Sequence, residues 1–178
     1  MKFSFMKDVE SIPFKIGLRT TKTVIAVFLC FAIDAFRTGG VPFYAAIAAV
    51  LCIQKDMENS WKFAKNREIA TIIGGLWGMF YLFIENTFLS IDPEIIRELI
   101  ISLMLIPIIH FSVWIKQKNA TYLMCVVFLS VTITHGDDVS PFWFAGNRIL
   151  DTSIGIGVAL IVNYIPFEKL RKLRDSHK

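Results

Sequence analysis

Residues 66–74 read NREIATIIG and residues 147–155 read NRILDTSIG. Both stretches contain the pattern Asn-Arg-x-x-x-Thr-x-Ile-Gly, and they lie 81 positions apart. Each copy stands at the start of the third apolar segment in one half of the chain. The pattern therefore predicts two related halves of three segments each, and this decides the fold class that we expect.

Three membrane crossings per half is an odd number, so the second half would be inverted relative to the first. Such an inverted repeat is typical of transporters and channels. It would place Arg67 at the cytoplasmic face and Arg148 at the outer face. Asn66 and Asn147 suit the N-cap of the helix that follows, which would put each arginine in a first helical turn. We expect the helix N-terminus and the arginine together to hold an anion at each face.

Composition places the chain among membrane proteins. Its 178 residues have a mean hydropathy of +0.56 and are 54% hydrophobic, with 16 phenylalanines. A soluble domain of this length normally carries more polar residues. Apolar stretches, most of them near the length that crosses a bilayer as a helix, lie at 16–36, 41–53, 69–84, 99–115, 120–134 and 149–167. We therefore expect an all-α membrane protein with six transmembrane helices arranged as a 3+3 inverted-topology repeat.

The distribution of charge predicts the orientation. With six crossings and a cytoplasmic N-terminus, 16 of the 19 lysines and arginines lie inside, and only Arg37, Arg97 and Arg148 lie outside. If the short second segment did not cross, seven would lie inside and 12 outside, which the positive-inside rule disfavours. Both termini are therefore predicted to be cytoplasmic. The first segment carries charges and no cleavage site follows it, so we expect it to be retained rather than removed as a signal peptide.

These boundaries divide the chain into three parts. The parts are a cytoplasmic segment at 1–15, a membrane domain at 16–167 with halves at 16–85 and 96–167, and a short basic tail at 168–178. We expect the tail to be solvated and to contact anionic lipid headgroups rather than nucleic acid.

Polar and small side chains form stripes on three predicted helices. Projection at about 100° per residue groups them. The stripes contain Arg19, Lys22, Thr23, Ala26, Cys30, Asp34 and Arg37; Arg67, Ala70, Thr71, Gly74, Gly78, Tyr81 and Glu85; and Arg148, Asp151, Thr152, Gly155, Ala159 and Asn163. Charged groups within membrane spans usually face the protein interior or a water path. The candidate residues of an anion path are Arg19, Lys22, Thr23, Arg67, Arg148 and Thr152. Packing between helices explains the small residues equally well.

Four further titratable residues are candidates for proton coupling or ion pairing, namely Asp34, Glu85, His110 and Asp151. Asp151 lies three residues after Arg148, so these two side chains can form a local ion pair. Asp34 and Glu85 fall toward the outer helix ends, where exposure to water explains them as well as a role in a pore. A lone histidine such as His110 is more often a hydrogen-bonded packing residue than a proton relay.

Several classes of function find no support in the sequence. The three cysteines lie inside apolar stretches without CxxC spacing, so we expect neither a disulfide framework nor a zinc site. The sequence contains no P-loop, no GxGxxG motif and no Ser/His/Asp grouping. We therefore expect the chain not to be an enzyme and to bind no cofactor or metal.

Three stretches resemble the fusaric acid resistance and aromatic acid exporter family of bacterial membrane proteins. They are RTTKTVIAV at 19–27, PFYAAIAAV at 42–50 and NRILDTSIG at 147–155, and the resemblance extends over residues 12–167. It implies a six-helix domain in the bacterial cell membrane that exports small aromatic carboxylic acids. It also implies kinship with plant malate channels, which pair two such domains around an anion path. The family's basic positions would correspond to Arg19, Lys22, Arg67 and Arg148.

Many members of this family continue into a soluble cytoplasmic domain or a second membrane half, whereas here residues 168–178 follow the sixth segment. We therefore expect the chain to assemble around the path as a homodimer or a higher homo-oligomer. The leading hypothesis is an exporter or channel for small organic anions. The alternative is a non-transporting membrane subunit whose stripes are only packing surfaces between helices.

Overall fold

The structure, a computed structural model, describes residues 17–37, 39–88, 94–134 and 141–166. All regular elements among these residues are helical: α1 (Leu18–Asp34), α2 (Pro42–Cys52), α3 (Met57–Phe88), α4 (Glu94–Leu103), α5 (Leu105–Trp114), α6 (Thr121–Thr134) and α7 (Pro141–Tyr164). A 3₁₀ turn, Lys118–Ala120, leads into α6. The predicted all-α class is confirmed. The cytoplasmic segments predicted at 1–15 and 168–178 lie outside the described residues.

The helices correspond to the six predicted segments. α4 and α5 form one rod that is interrupted at Met104, because Pro107 has no N–H to donate to the carbonyl of Leu103. In the described part of the chain, the helices long and apolar enough to cross a bilayer are Met57–Phe88, Glu94–Trp114 and Phe142–Tyr164. The other helices, α1, α2 and α6, are shorter. Three candidate spans indicate a membrane protein, and six crossings stay a prediction.

The third and seventh helices begin earlier than the repeated motif that they contain. α3 begins one residue after Asp56, whose carboxylate accepts a 2.8 Å hydrogen bond from the backbone N–H of Asn59 and caps the helix. Hydrogen bonds from Asn59 also hold the pKa of Asp56 below its ordinary value. α7 begins at Pro141, which suits a first helical turn because it has no N–H to satisfy. Asn66 and Asn147 lie inside these helices, so the prediction that they are N-caps beside an anion-binding helix end was wrong.

Helices from the two predicted halves are interleaved. α3 packs along α6 and α7, while α7 packs along α2 and α3. α1 lies against α2 and α7, and α5 lies against α6. The third helix of each half thus packs against the second helix of the other half. Two clusters of buried apolar residues form the core at these contacts.

Gly155 sets the distance between α7 and α2. A Cβ added at this position would collide with the backbone carbonyl oxygen of Ala45 and would lie 2.8 Å from the Cβ of Ala48. The side chain is absent at the point where the backbones approach, so the two helices pack more closely than larger residues would allow.

Gly74 sets the distance between α3 and α6 in the same way. A Cβ added here would lie 2.5 Å from the carbonyl oxygen of Met124 and 2.9 Å from the Cβ of Val127. Each motif glycine therefore faces a carbonyl of its partner helix and the Cβ of the residue three positions later. The small residues of these two stripes are packing residues, as one of the two sequence interpretations held.

We predict that Gly155→Ala lowers the free energy of unfolding by about 1–3 kcal/mol, because the new methyl group overpacks the contact with α2. Gly157→Ala on the same helix is the matched control, since an added Cβ there meets no atom within 4 Å. This control should be neutral or stabilising by up to about 1 kcal/mol, as alanine favours the helix. Unfolding in mixed detergent micelles measures both variants. Equal stability of the two would contradict the proposed close contact.

Candidate anion site

A cavity of about 530 Å³ opens between the first turns of α3 and the first turns of α6. Its lining residues are Leu51, Asn59, Lys62, Phe63, Asn66, Arg67, Lys118, Asn119, Tyr122 and Leu123. Three of these residues are cationic and none is acidic, so the cavity carries a positive potential that attracts anions. Its size falls within the range typical of pockets for small organic molecules.

Arg67 is the most deeply buried of the three cations. Its exposed fraction is 8%, and its Nε atom has no hydrogen-bond partner among the described residues. A guanidinium group buried without a carboxylate partner is costly, because it loses its hydration without gaining an opposite charge. An anion in the cavity would supply that charge together with hydrogen-bond acceptors.

The rest of the cavity wall combines aromatic, aliphatic and amide groups. Phe63 and Tyr122 supply aromatic rings, and Leu51 and Leu123 supply aliphatic surface. Three asparagine amides can donate hydrogen bonds to carboxylate oxygens. A small molecule with a ring at one end and a carboxylate at the other would find matching groups here.

Lys62 and Lys118 supply the other positive charges of the cavity. Lys62 forms a 2.7 Å ion pair with Glu58 one turn earlier in α3, and both side chains are largely exposed. This pair therefore weakens the attraction of Lys62 for an anion only partly, because exposed ion pairs contribute little and exchange readily with water.

Arg148, on the neighbouring helix α7, has a different environment. It is 6% exposed, and its Nη1 atom donates a 2.5 Å hydrogen bond to Oγ of Ser130. Its Cζ atom lies 4.0 Å from the centre of the Tyr44 ring, a cation–π contact. The local ion pair expected between Arg148 and Asp151 is not formed, because Asp151 pairs with a different arginine.

Arg37 is the ion-pair partner of Asp151, and its Nη1 atom lies 2.6 Å from Oδ1 of that residue. The other oxygen of Asp151 accepts a 2.8 Å hydrogen bond from the backbone N–H of Val41, and the residue is only 1% exposed. The side chain of Asp34 lies close to that of Asp151, since a Cβ added at Gly40 would contact the carboxylate oxygens of both residues. Asp151 therefore holds the connection between α1 and α2 against α7.

Glu85 is also held in an ion pair rather than simply exposed to water. Its Oε1 atom lies 2.6 Å from Nε of Arg97, and Arg97 also donates to the carbonyl of Thr132. These bonds join the end of α3 to the start of α4 and the end of α6. His110 is exposed, and its Nδ1 atom bonds the carbonyl of Ile106 in its own helix.

The remaining predicted path residues do not line the cavity. Nε of Arg19 donates to the carbonyl of Ile53 at the end of α2, and Nζ of Lys22 donates to Asn163 near the end of α7. These cations are therefore placed at the negative ends of helix dipoles. Thr23 bonds its own helix through the carbonyl of Arg19. Thr152 is buried inside α7.

Sequence reasoning missed several residues of the cavity. Lys62 and Lys118 entered the sequence analysis only as charges that fix the orientation, although both flank segment ends on the same predicted side. Tyr122 was expected only as an aromatic residue at the membrane interface, because only the packing of α6 against α3 brings it to the cavity beside Arg67. Glu68, which does not line the cavity, was also missed: its Oε1 atom accepts a 2.7 Å hydrogen bond from Ser153, and its Oε2 atom has no hydrogen-bond partner in the described part of the chain. In the described ranges, no group of three or more His, Cys, Asp or Glu residues could hold a metal.

Comparison with known proteins adds the family. The family model that matches is described as aromatic acid exporter family member 1, and it covers residues 14–165. No curated protein and no solved structure matches the chain. The match extends over every described helix, so it concerns the whole helical domain, and the resemblance noted in the sequence is confirmed. The chain belongs to the aromatic acid exporter family, and this membership implies a membrane exporter rather than an enzyme.

Proposed function

We propose that the chain exports small organic anions, with aromatic carboxylates as the substrate class, and that Arg67 binds the carboxylate in the cation-lined cavity. The observation that carries this proposal is a buried guanidinium group on the wall of that cavity that has no carboxylate partner among the described residues. Phe63 and Tyr122 would contact the ring of the substrate. Membership of the aromatic acid exporter family also supports an export function.

The proposed topology is six crossings as a 3+3 inverted repeat in a bacterial cell membrane, with both termini cytoplasmic. The equivalent contacts of Gly74 and Gly155 support it, since each motif glycine packs on the second helix of the opposite half in the same geometry. The charge distribution supports it independently. In this orientation the cavity faces the cytoplasm, where an exported anion must enter.

The direction of transport needs no additional energy source. With an inside-negative potential of about 100 mV, moving one negative charge outward gains roughly 2.3 kcal/mol. Arg19 and Lys22 lie at the same end as the cavity and would attract the anion from the cytoplasm. Arg148 would receive it nearer the outer face. Proton coupling is not required by this scheme.

The alternative, a non-transporting subunit, is supported by the packing role of the motif glycines. Packing does not explain why Arg67 is buried beside an open cavity while no described carboxylate forms an ion pair with it. A purely structural protein would gain stability by replacing such a group with an apolar one. We therefore favour transport.

We predict that Arg67→Gln lowers benzoate flux in proteoliposomes at least about ten-fold, because a charge-assisted hydrogen bond contributes roughly 1.5–3 kcal/mol. Arg67→Lys should retain part of the flux, since it keeps the charge but loses the planar fork of the guanidinium group. Lys65→Gln is the matched control, because Lys65 is an exposed cation of the same helix that does not line the cavity.

Flux through Lys65→Gln should equal that of the unmodified protein. If Arg67→Gln gives a folded protein with unchanged flux, Arg67 does not bind the substrate. If the unmodified protein carries no benzoate, hydroxybenzoate or dicarboxylate above the rate of empty liposomes, the proposed function is wrong.

We predict that Lys118→Cys, in a protein whose three native cysteines are replaced, reacts with a membrane-impermeant thiol reagent only from the cytoplasmic side. The reason is that the proposed topology puts the connection between α5 and α6 in the cytoplasm. Intact cells and inverted membrane vesicles compare the two sides. Rapid labelling in intact cells would refute the six-span orientation.

The homodimer or higher homo-oligomer expected from the sequence stays part of the proposal. The mass of the detergent-solubilised protein, corrected for bound detergent, tests it directly.

A further inference from the structure

Arg67 and Arg148 occupy equivalent positions on their helices but have different surroundings. Each arginine lies seven residues, or about two helical turns, before its motif glycine, and therefore on the same helix face as that glycine. Arg67 faces an open cavity, whereas Arg148 is covered by Tyr44 and bonded to Ser130. The difference must arise from the neighbouring helices.

The glycine contacts fix which neighbours correspond. Gly155 faces Ala45 as Gly74 faces Met124, so Ala45 in α2 matches Met124 in α6. The residue before each of these is Tyr44 in α2 and Leu123 in α6. By the same register, Ser130 in α6 matches Leu51 in α2. Leu123 and Leu51 both line the open cavity.

The two arginine environments are thus one arrangement with different side chains. Beside Arg67, the corresponding positions hold two leucines, and an open space remains. Beside Arg148, they hold Tyr44 and Ser130, and the tyrosine ring fills the space over the guanidinium group. The Tyr44 hydroxyl lies 3.4 Å from Oγ of Ser130, and its ring packs edge to face on Phe144 with 6.0 Å between centroids.

We propose that Arg148 is a second binding site for the same small organic anion and that the Tyr44 side chain closes it. This inference rests on the proposed function. In the described part of the chain, Arg148 has no carboxylate partner, so the site retains an unbalanced positive charge. The tyrosine ring offers a cation–π contact, which is weaker than the charge-assisted hydrogen bonds of a carboxylate. An arriving anion can therefore replace the ring on Arg148.

The consequence for specificity concerns the aromatic part of the substrate. The space that Tyr44 vacates has the shape of an aromatic ring and keeps Phe144 on one side. An aromatic carboxylate can place its ring there and its carboxylate on Arg148 and Ser130. An aliphatic anion would fill the charged part of the site but not the ring space.

The test uses Ser130→Cys in a protein without its native cysteines, because residue 130 contacts both Arg148 and Tyr44. A sulfonate-bearing thiol reagent is added from the side of the α7 N-terminus. We expect Tyr44→Leu to raise the labelling rate about ten-fold or more. Without the tyrosine ring, the site around Arg148 should be open in most molecules, so that the reagent reaches the thiol at residue 130. Tyr44→Phe should stay within about two-fold, since the ring is kept. Tyr164→Leu is the matched control, because it makes the same change at an exposed position at the far end of α7.

Benzoate provides the second measurement. It should slow labelling in the Tyr44→Leu protein by occupying Arg148, and the additional change Arg148→Gln should abolish this protection. If Tyr44→Leu labels no faster than the Tyr164→Leu control, Tyr44 is not a gate. If labelling rises but benzoate gives no protection, Arg148 is not an anion site. Absence of benzoate flux in the unmodified protein would instead overturn the proposed function, which the labelling does not measure.

Discussion

The close approach of two helix backbones at Gly74 and Gly155 is the constraint on which the other features depend. Because neither position has a side chain, α3 and α7 contact carbonyl groups of α6 and α2 directly. This contact fixes the register of four helices at once. Arg67 and Arg148, two turns away on the same faces, are thereby carried into the protein interior, where a charge has consequences that it lacks at the surface.

Much of the fold could be predicted from the sequence, because hydropathy and helical periodicity are local properties. The all-α class and the helix faces of α3 and α7 followed from such patterns. The start of α3 was misplaced, although Asp56, ten residues before the motif, forms a capping signal with Asn59. The repeated motif marks equivalent positions on α3 and α7, but it does not mark where these helices begin.

The site was less predictable, because it depends on contacts between distant segments. Arg67 and Arg148 were found from their equivalent places in the repeated motif and on the polar stripes of two predicted helices. The partner of Asp151 was not, since Arg37 lies 114 positions away and a neighbour at three residues was the simpler expectation. Tyr44 stood within a family-like stretch without any indication of its contact with Arg148. Local sequence patterns identify unusual side chains, but only the packing of the helices decides which residues these side chains contact.

The bonds of Asp151 to Arg37 and to the backbone of Val41 have a mechanical consequence. They tether the α1–α2 connection of one half to the middle of α7 in the other half. Here the halves are fastened by the ion pair of the buried Asp151, whereas a cavity of about 530 Å³ lies between the first turns of α3 and α6. Separating the two halves at this point would therefore break the ion pair and leave the Asp151 carboxylate buried without its partner.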